Sequence, residues 1–306
     1  MSTIYLHSFE SSPFGEKVRL ILGLKGVEWK SVDPEMVMPK PNLTALTGGY
    51  RKTPVMQIGA DIYCDSRLIA DELERRYPAP TLFPGGSRGL CLALSEWADT
   101  ALHIASSGLA IGVNKRDFPE ALMADRKKFF KGFMDIENIE TQVPHLRSQL
   151  RAHAGLIEDQ LSDGRQFWLG GEPSFADFHV HVEIWTIRAF VPFAGDLLSG
   201  MDSMATWEKR VKAIGHGHKT RAAIGEAHEA ARLGTTLPGR GVEDNNALGL
   251  CEGDWITVTP DDYGKEPVAG RLVTLSLSEV AVEREDPIVG NVTVHFPRIG
   301  YRITKN

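Results

Sequence analysis

From residue 87 to about 233 the chain carries almost no strand signal, while the stretches on either side of it do. Long amphipathic runs fill the middle, at about 90–111, 118–153, 175–190, 204–214 and 219–233. Apolar residues spaced by three and four cover one face of a helix. The middle is therefore predicted to be an all-α domain over 84–233. Before it, Ile4-Tyr5-Leu6 reads as a short strand. Pro13 opens a helix that carries Val18, Leu20, Ile21, Leu22 and Leu24, and Gly26 stops it. Residues 28–32 read as a strand and 43–46 as a short helix. Residues 53–58 and 61–63 form a hairpin around Gly59-Ala60, and Asp65-Ser66 start a further helix. The order β-α-β-α-β-β-α in about 80 residues predicts a small α/β domain over 1–83. After Leu248 the pattern turns β-branched again, at 255–259, 270–276, 280–282 and 291–296, with turn clusters between. Four or five such strands predict a small all-β barrel or sandwich over 247–306. The polar stretch 234–246 reads as its linker.

At 306 residues, a prior of about 150 residues per domain allows this three-part division. Lys plus Arg total 34 against 40 for Asp plus Glu, a formal charge of -6. With no basic block, nucleic acid and anionic membranes are disfavoured as partners. No apolar run reaches the roughly 18 residues of a membrane span, and the N-terminus lacks a secretory pattern. Cys64, Cys91 and Cys251 are odd in number and form no CxxC pair, so they are expected to be buried free thiols in a reducing cytoplasm.

Three junctions carry chemistry. In Ser11-Ser12-Pro13-Phe14 the proline suits the first helical position, which puts Ser12 at the N-cap. A hydroxyl there either only caps the helix or stabilises an anion at the positive end of the macrodipole. Lys52-Thr53-Pro54-Val55 enters a strand through a proline that gives the ladder no hydrogen bond. A cis bond would account for it. Cys64-Asp65-Ser66-Arg67 places an acid and a hydroxyl where a strand turns into a helix, which is either a plain N-cap or a seat for a ligand's carboxylate and ammonium.

Taken together the three junctions resemble the cytosolic glutathione transferase family, in the serine-type, tau-like form of its active site. Ser12-Pro-Phe matches the active-site serine, Thr53-Pro54-Val55 the cis-proline hairpin, and Asp65-Ser66 the acidic-Ser pair. Gly170-Gly-Glu-Pro-Ser174-Phe-Ala-Asp177 resembles the family's buried helix start. The match covers about residues 1–230 and leaves the β region as an addition. It implies a thioredoxin-like first domain and glutathione as co-substrate. Ser12 would donate to the glutathione sulfur, with Ser11 its competitor by one residue of register. Val55, after Pro54, would pair with the cysteinyl backbone. Ser66 would hold the γ-glutamyl carboxylate and Asp65 its ammonium, and Lys52 and Lys40 would meet the glycyl carboxylate. It also implies a cytoplasmic homodimer that detoxifies a small electrophile, without metal. The alternative is a non-catalytic binding protein whose β domain serves a partner.

Tyr5 lies inside the first strand and reads as core. His179, His181 and Glu183 would share a face on a strand, but the surrounding pattern is helical and separates His181 from the other two. Trp97, His103, Ile104 and Ser107 lie on the helix that lines the electrophile pocket in this family, and the sequence leaves open which of them face it. The β region is expected to supply no glutathione ligand.

Overall fold

The structure, a computed structural model, describes residues 3–306. Strand β1 (Ile4–His7) leads to α1 (Pro13–Lys25), β2 (Glu28–Val32), α2 (Pro41–Thr47), β3 (Val55–Ile58), β4 (Asp61–Cys64) and α3 (Ser66–Arg76). β1 runs parallel to β2 and antiparallel to β3, which pairs antiparallel with β4. Side chains alternate across the sheet. Ile4, Leu6, Met56 and Ile58 therefore meet the buried residues of α1 and α3, while Val55, Ile62 and Cys64 meet Leu43 and Leu46 of α2 on the other face. This is a thioredoxin-like domain. Its first helix begins as its residues require, with Ser12 as N-cap and Pro13 at the first helical position. Gly26, at φ 61°, ends it in the left-handed region.

The helical domain contains α4 (Arg88–Trp97), α5 (His103–Asn114), α6 (Glu120–Phe129), α7 (Ile139–Leu161), α8 (Phe175–Phe190), α9 (Ala194–Leu197) and α10 (Asp202–Ala213). A turn of π-helix joins α4 to α5. The run expected at 118–153 is two helices: it breaks after Phe129, and Gly132 at φ 82° lets the chain turn. At the start of α8, Asp177 Oδ2 accepts from the Ser174 backbone N–H at 2.9 Å and from its hydroxyl at 2.6 Å. Its Oδ1 accepts from the Trp168 backbone and the Trp207 indole. The HxHxE string is dispersed as a helix requires. His179 pairs with Asp99, His181 stands edge-on to Trp207, and Glu183 contacts His103. No described helix is long and apolar enough to cross a membrane.

Residues 219–233 were expected to be helical throughout, but β5 (His218–Arg221) comes first and pairs in parallel with β2 before α11 (Ile224–Leu233). All four residues of β5 are exposed and polar, so its pairing rests on the backbone and left no hydrophobic signature.

The C-terminal strands depart most from expectation. They are β6 (Gly241–Val242), β7 (Trp255–Pro260), β8 (Val268–Leu275), β9 (Glu279–Asp286), β10 (Gly290–Pro297) and β11 (Tyr301–Lys305). They make neither a closed barrel nor a second sheet. β10 pairs in parallel with β4 at Thr293↔Asp61, Val294↔Ile62 and His295↔Tyr63, so the order β11-β7-β8-β9-β10-β4-β3-β1-β2-β5 is one continuous path. The physical reason lies at the β4 edge. It would otherwise present a row of unpaired backbone groups, and β10 covers them. The β-rich region shares one apolar cluster with the first domain, in which Leu43, Leu46, Tyr50 and Ile62 pack with Leu272, Val282, Val294 and Phe296. The stretch 234–246 is also tied down. Leu237 N–H reaches the Asp61 carboxylate, and the Arg240 side chain bridges Glu279 and Glu72. Cys64 and Cys91 are buried thiols as expected, whereas Cys251 is exposed.

Candidate functional site

A cavity of about 460 Å³ lies where the three regions meet. Its floor is the thioredoxin-like domain. Ser11, Ser12, Pro13 and Phe14 come from the start of α1, Thr53 and Pro54 from the entry to β3, and Asp65 and Ser66 from the start of α3. The Thr53-Pro54 bond is cis.

Ser12 caps α1: its Oγ accepts from the Gly15 backbone N–H at 3.1 Å. A hydroxyl oxygen that accepts there keeps its own hydrogen to donate elsewhere. Ser11, one residue earlier, is exposed in the turn before the helix and also lines the cavity. The chain is close-packed here. A Cβ on Gly15 would lie 2.0 Å from Ser8 Oγ and 3.2 Å from Ser12 Cβ, so glycine is required for this approach.

Asp65 caps α3 with φ 78°, a left-handed value that a non-glycine residue holds only under constraint. Oδ1 accepts from Arg67 N–H at 2.9 Å, and Oδ2 accepts from the Tyr301 hydroxyl at 3.1 Å. Tyr301 also contacts the Tyr50 hydroxyl at 3.4 Å. Burial pushes both phenols well above their usual range, so each remains a neutral donor. Ser66 is buried at the first position of α3 and lines the cavity.

Val55 is not on the wall. It sits inside the sheet, opposite His7 on one side and Cys64 on the other, which leaves no open edge there for a ligand to pair with. Thr53, two residues earlier and ahead of the ladder, lines the cavity instead. Pro54 separates the two.

The cations form one rim. Lys40 is buried over the Phe9 ring and donates to the Arg51 carbonyl at 3.2 Å. Burial, reinforced by the cations of Arg126 and Arg51, brings its pKa down to about 8. Arg51 makes a two-pronged pair with Asp125 at 2.5 and 2.7 Å. Lys52 is held by Asp262 at 2.5 Å under the ring of Tyr263. Tyr5 is elsewhere, buried against α11 with its hydroxyl on Glu226. The opposite wall, from the helical domain, is mostly apolar and includes Ile111, Phe118, Leu122, Met123, Phe130 and Phe190. Of the four residues left open on the family's pocket helix, His103 and Ser107 line the cavity and Trp97 and Ile104 do not.

The β region, expected to supply no glutathione ligand, does reach the cavity. Asp262 and Tyr263, in the β7–β8 loop, line the cavity, and Tyr301 orients Asp65. The sequence showed Pro260-Asp-Asp-Tyr-Gly264 only as a turn cluster, and a turn carries no signal of what it faces.

Comparisons with known proteins bear on the family and the fold. A family description reading "Glutathione S-transferase, N-terminal domain" matches residues 6–81. A GST-like protein from Pseudomonas syringae is 36% identical, with a TM-score of 0.80 and full coverage of both chains. A glutathione S-transferase from Rhodospirillum rubrum is 20% identical with a TM-score of 0.54, covering 69% of this chain and 88% of its own. A probable glutathione S-transferase of Solanum tuberosum is 23% identical over 111 residues, which is 36% of this chain. The match spans about half (49%) of the length of that curated relative.

Proposed function

The chain belongs to the glutathione S-transferase family, and from that premise we propose that it binds reduced glutathione and presents its thiolate to a small electrophile. The observation that carries the reading is the convergence of three junctions on one cavity: the Ser12 cap, cis-Pro54 and the Asp65-Ser66 helix start.

A free thiol has a pKa near 8.5, so little of it is ionised at neutral pH. Lowering that value by about two units requires about 2.7 kcal/mol of preferential stabilisation of the thiolate. The Ser12 hydroxyl can donate one charge-assisted hydrogen bond, and the positive end of α1 adds its field. Asp65 receives the γ-glutamyl ammonium, and Ser66 with the α3 N-terminus receives its carboxylate. The Thr53 backbone, on the cavity wall, pairs with the cysteinyl unit. Lys40 and Lys52 meet the glycyl carboxylate, although Lys52 must share itself with Asp262. The apolar wall receives the electrophile, and catalysis consists of thiolate stabilisation and positioning of the two substrates. A hydroxyl in place of a nucleophilic thiol at position 12 disfavours disulfide exchange. The proposed setting is cytoplasmic detoxification by a homodimer, whose assembly sedimentation at micromolar concentration checks.

The test combines turnover and binding. The wild type conjugates glutathione to members of a broad electrophile panel, and Asp65→Ala weakens glutathione binding about 10- to 150-fold, the loss of a charge-assisted hydrogen bond worth about 1.5–3 kcal/mol. Tight glutathione binding with no turnover on any electrophile makes it a binding protein, and unchanged affinity in Asp65→Ala removes the glutathione assignment.

A further inference from the structure

The electrophile side of the cavity is interrupted by one organised polar group. His103, at the first position of α5, lines it. Its Nδ1 lies 3.1 and 3.2 Å from the two oxygens of Glu183 and 3.2 Å from the Ser107 hydroxyl. Glu183 is fully buried on α8 and also accepts from the Ser106 hydroxyl. A carboxylate is costly to bury unless it is hydrogen-bonded, and here its partners are this histidine and a serine. Both His103 contacts use the same ring nitrogen. That rules out a hydrolytic relay through Ser107, in which the hydroxyl and the acid occupy opposite nitrogens. Nε2 has no protein hydrogen-bond partner among the described residues. The Phe14 ring, two residues beyond Ser12, stands edge-on against His103 at a centroid distance of 4.9 Å, so the imidazole adjoins the helix start that carries the serine.

We infer that His103 is a catalytic acid for the electrophile and Glu183 its positioning residue. This rests on the transferase reading and adds a substrate class: electrophiles that expel an alkoxide or a phenoxide. In the step, the glutathione sulfur forms a C–S bond while the C–O bond breaks and its electron pair leaves on oxygen. His103, as the imidazolium, transfers its Nε2 proton to that oxygen and releases an alcohol or phenol. The neutral ring keeps Nδ1–H on Glu183 and regains its proton from water, replacing the one the thiol released on ionising. A halide leaves without a proton and needs no such group.

The experiment compares para-nitrobenzyl chloride with para-nitrobenzyl aryl ethers of graded phenol acidity, alongside calorimetry with glutathione. His103→Gln leaves glutathione affinity within threefold of wild type and lowers ether cleavage at least 100-fold relative to any effect on chloride displacement, the scale of general acid catalysis. Glu183→Gln lowers ether cleavage at least tenfold and steepens its dependence on phenol acidity, which a purely structural role would not do. Retained chloride displacement shows that each variant is folded. Equal losses on chloride and ethers, or unchanged ether cleavage in His103→Gln, overturn the assignment. So does a wild type that conjugates the chloride and no ether. A wild type that conjugates neither also overturns this inference, and one that binds glutathione and conjugates no electrophile of the broad panel overturns the transferase reading as well.

Discussion

Phe296 tests whether the C-terminal strands are structural partners of the first domain or an appended module. It is fully buried on β10, the strand that pairs with β4. Its ring lies 5.7 Å from Tyr50 and 5.3 Å from Tyr301, the two tyrosines that meet beside Asp65. Phe296→Ala removes a buried aromatic side chain, which typically costs about 3–5 kcal/mol including the cavity left behind. About 0.5–1.5 kcal/mol of that reflects each aromatic pair. Set against a usual total of about 5–15 kcal/mol, the loss is a large fraction of stability. Because the apolar cluster runs from Leu43 and Ile62 into β8 and β10, the loss falls on both regions at once. Urea denaturation followed separately by Trp29 in β2 and Trp255 in β7, each kept as the sole fluorescent reporter of its region, shows the two transitions moving together to lower urea. Glutathione affinity falls as well, since Tyr50 lines the cavity. If the Trp255 transition moves while the Trp29 transition and glutathione affinity stay at wild-type values, the shared-core argument is wrong. The same reasoning predicts that a chain ending near residue 235 loses its cover over β4 and folds poorly.

Two further outcomes follow from the cationic rim. Asp262→Ala releases Lys52 from a partly exposed pair worth about 0.5–1 kcal/mol, so glutathione binds about two- to fivefold tighter by calorimetry; weaker binding would mean that the Asp262 carboxylate itself serves the ligand. The pKa of Lys40 in the fold lies near 8, below its usual 10.5. Between those values the unfolded chain holds a proton that the folded chain has released, so the Lys40 contribution to stability rises with pH across that window. Glutathione binding that uses the Lys40 cation instead weakens as pH passes 8, and Lys40→Met flattens both trends in chemical denaturation and calorimetry.

The thioredoxin-like domain was legible because its signals are local. Pro13 fixes the phase of α1, Gly26 ends it, and Asp65-Ser66 mark a strand turning into a helix, each within a few residues. Period-two alternation located β7 to β10 in the same way. What the chain does not spell out is which strand edge meets which. Nothing in Asn291-Val-Thr-Val-His-Phe296 names β4 as its neighbour, because a strand paired on both sides and a strand in a separate barrel share one alternation. For the same reason Asp262 and Tyr263, on a loop, and Tyr301, at the start of β11, were invisible as site residues: where each one points is set by tertiary pairing. β5 escaped notice because an exposed edge strand of His-Lys-Thr-Arg has no apolar face. Val55, expected to meet the ligand, instead sits paired on both sides within the sheet. Pro54 was read correctly as the entry to a strand, and the residue left open for a ligand is the one before the ladder begins.

On the proposed chemistry, the hydroxyl of Ser12, at the start of α1, stabilises the glutathione thiolate. Ultraviolet titration of the bound thiol measures it directly, with wild type, Ser12→Ala and Ser11→Ala compared at saturating glutathione. The expected result is a thiol pKa lowered by about two units in the wild type, a value returned most of the way toward that of free thiol in Ser12→Ala, and little change in Ser11→Ala. A thiol pKa that is unmoved by Ser12→Ala, or that moves with Ser11→Ala instead, would contradict it.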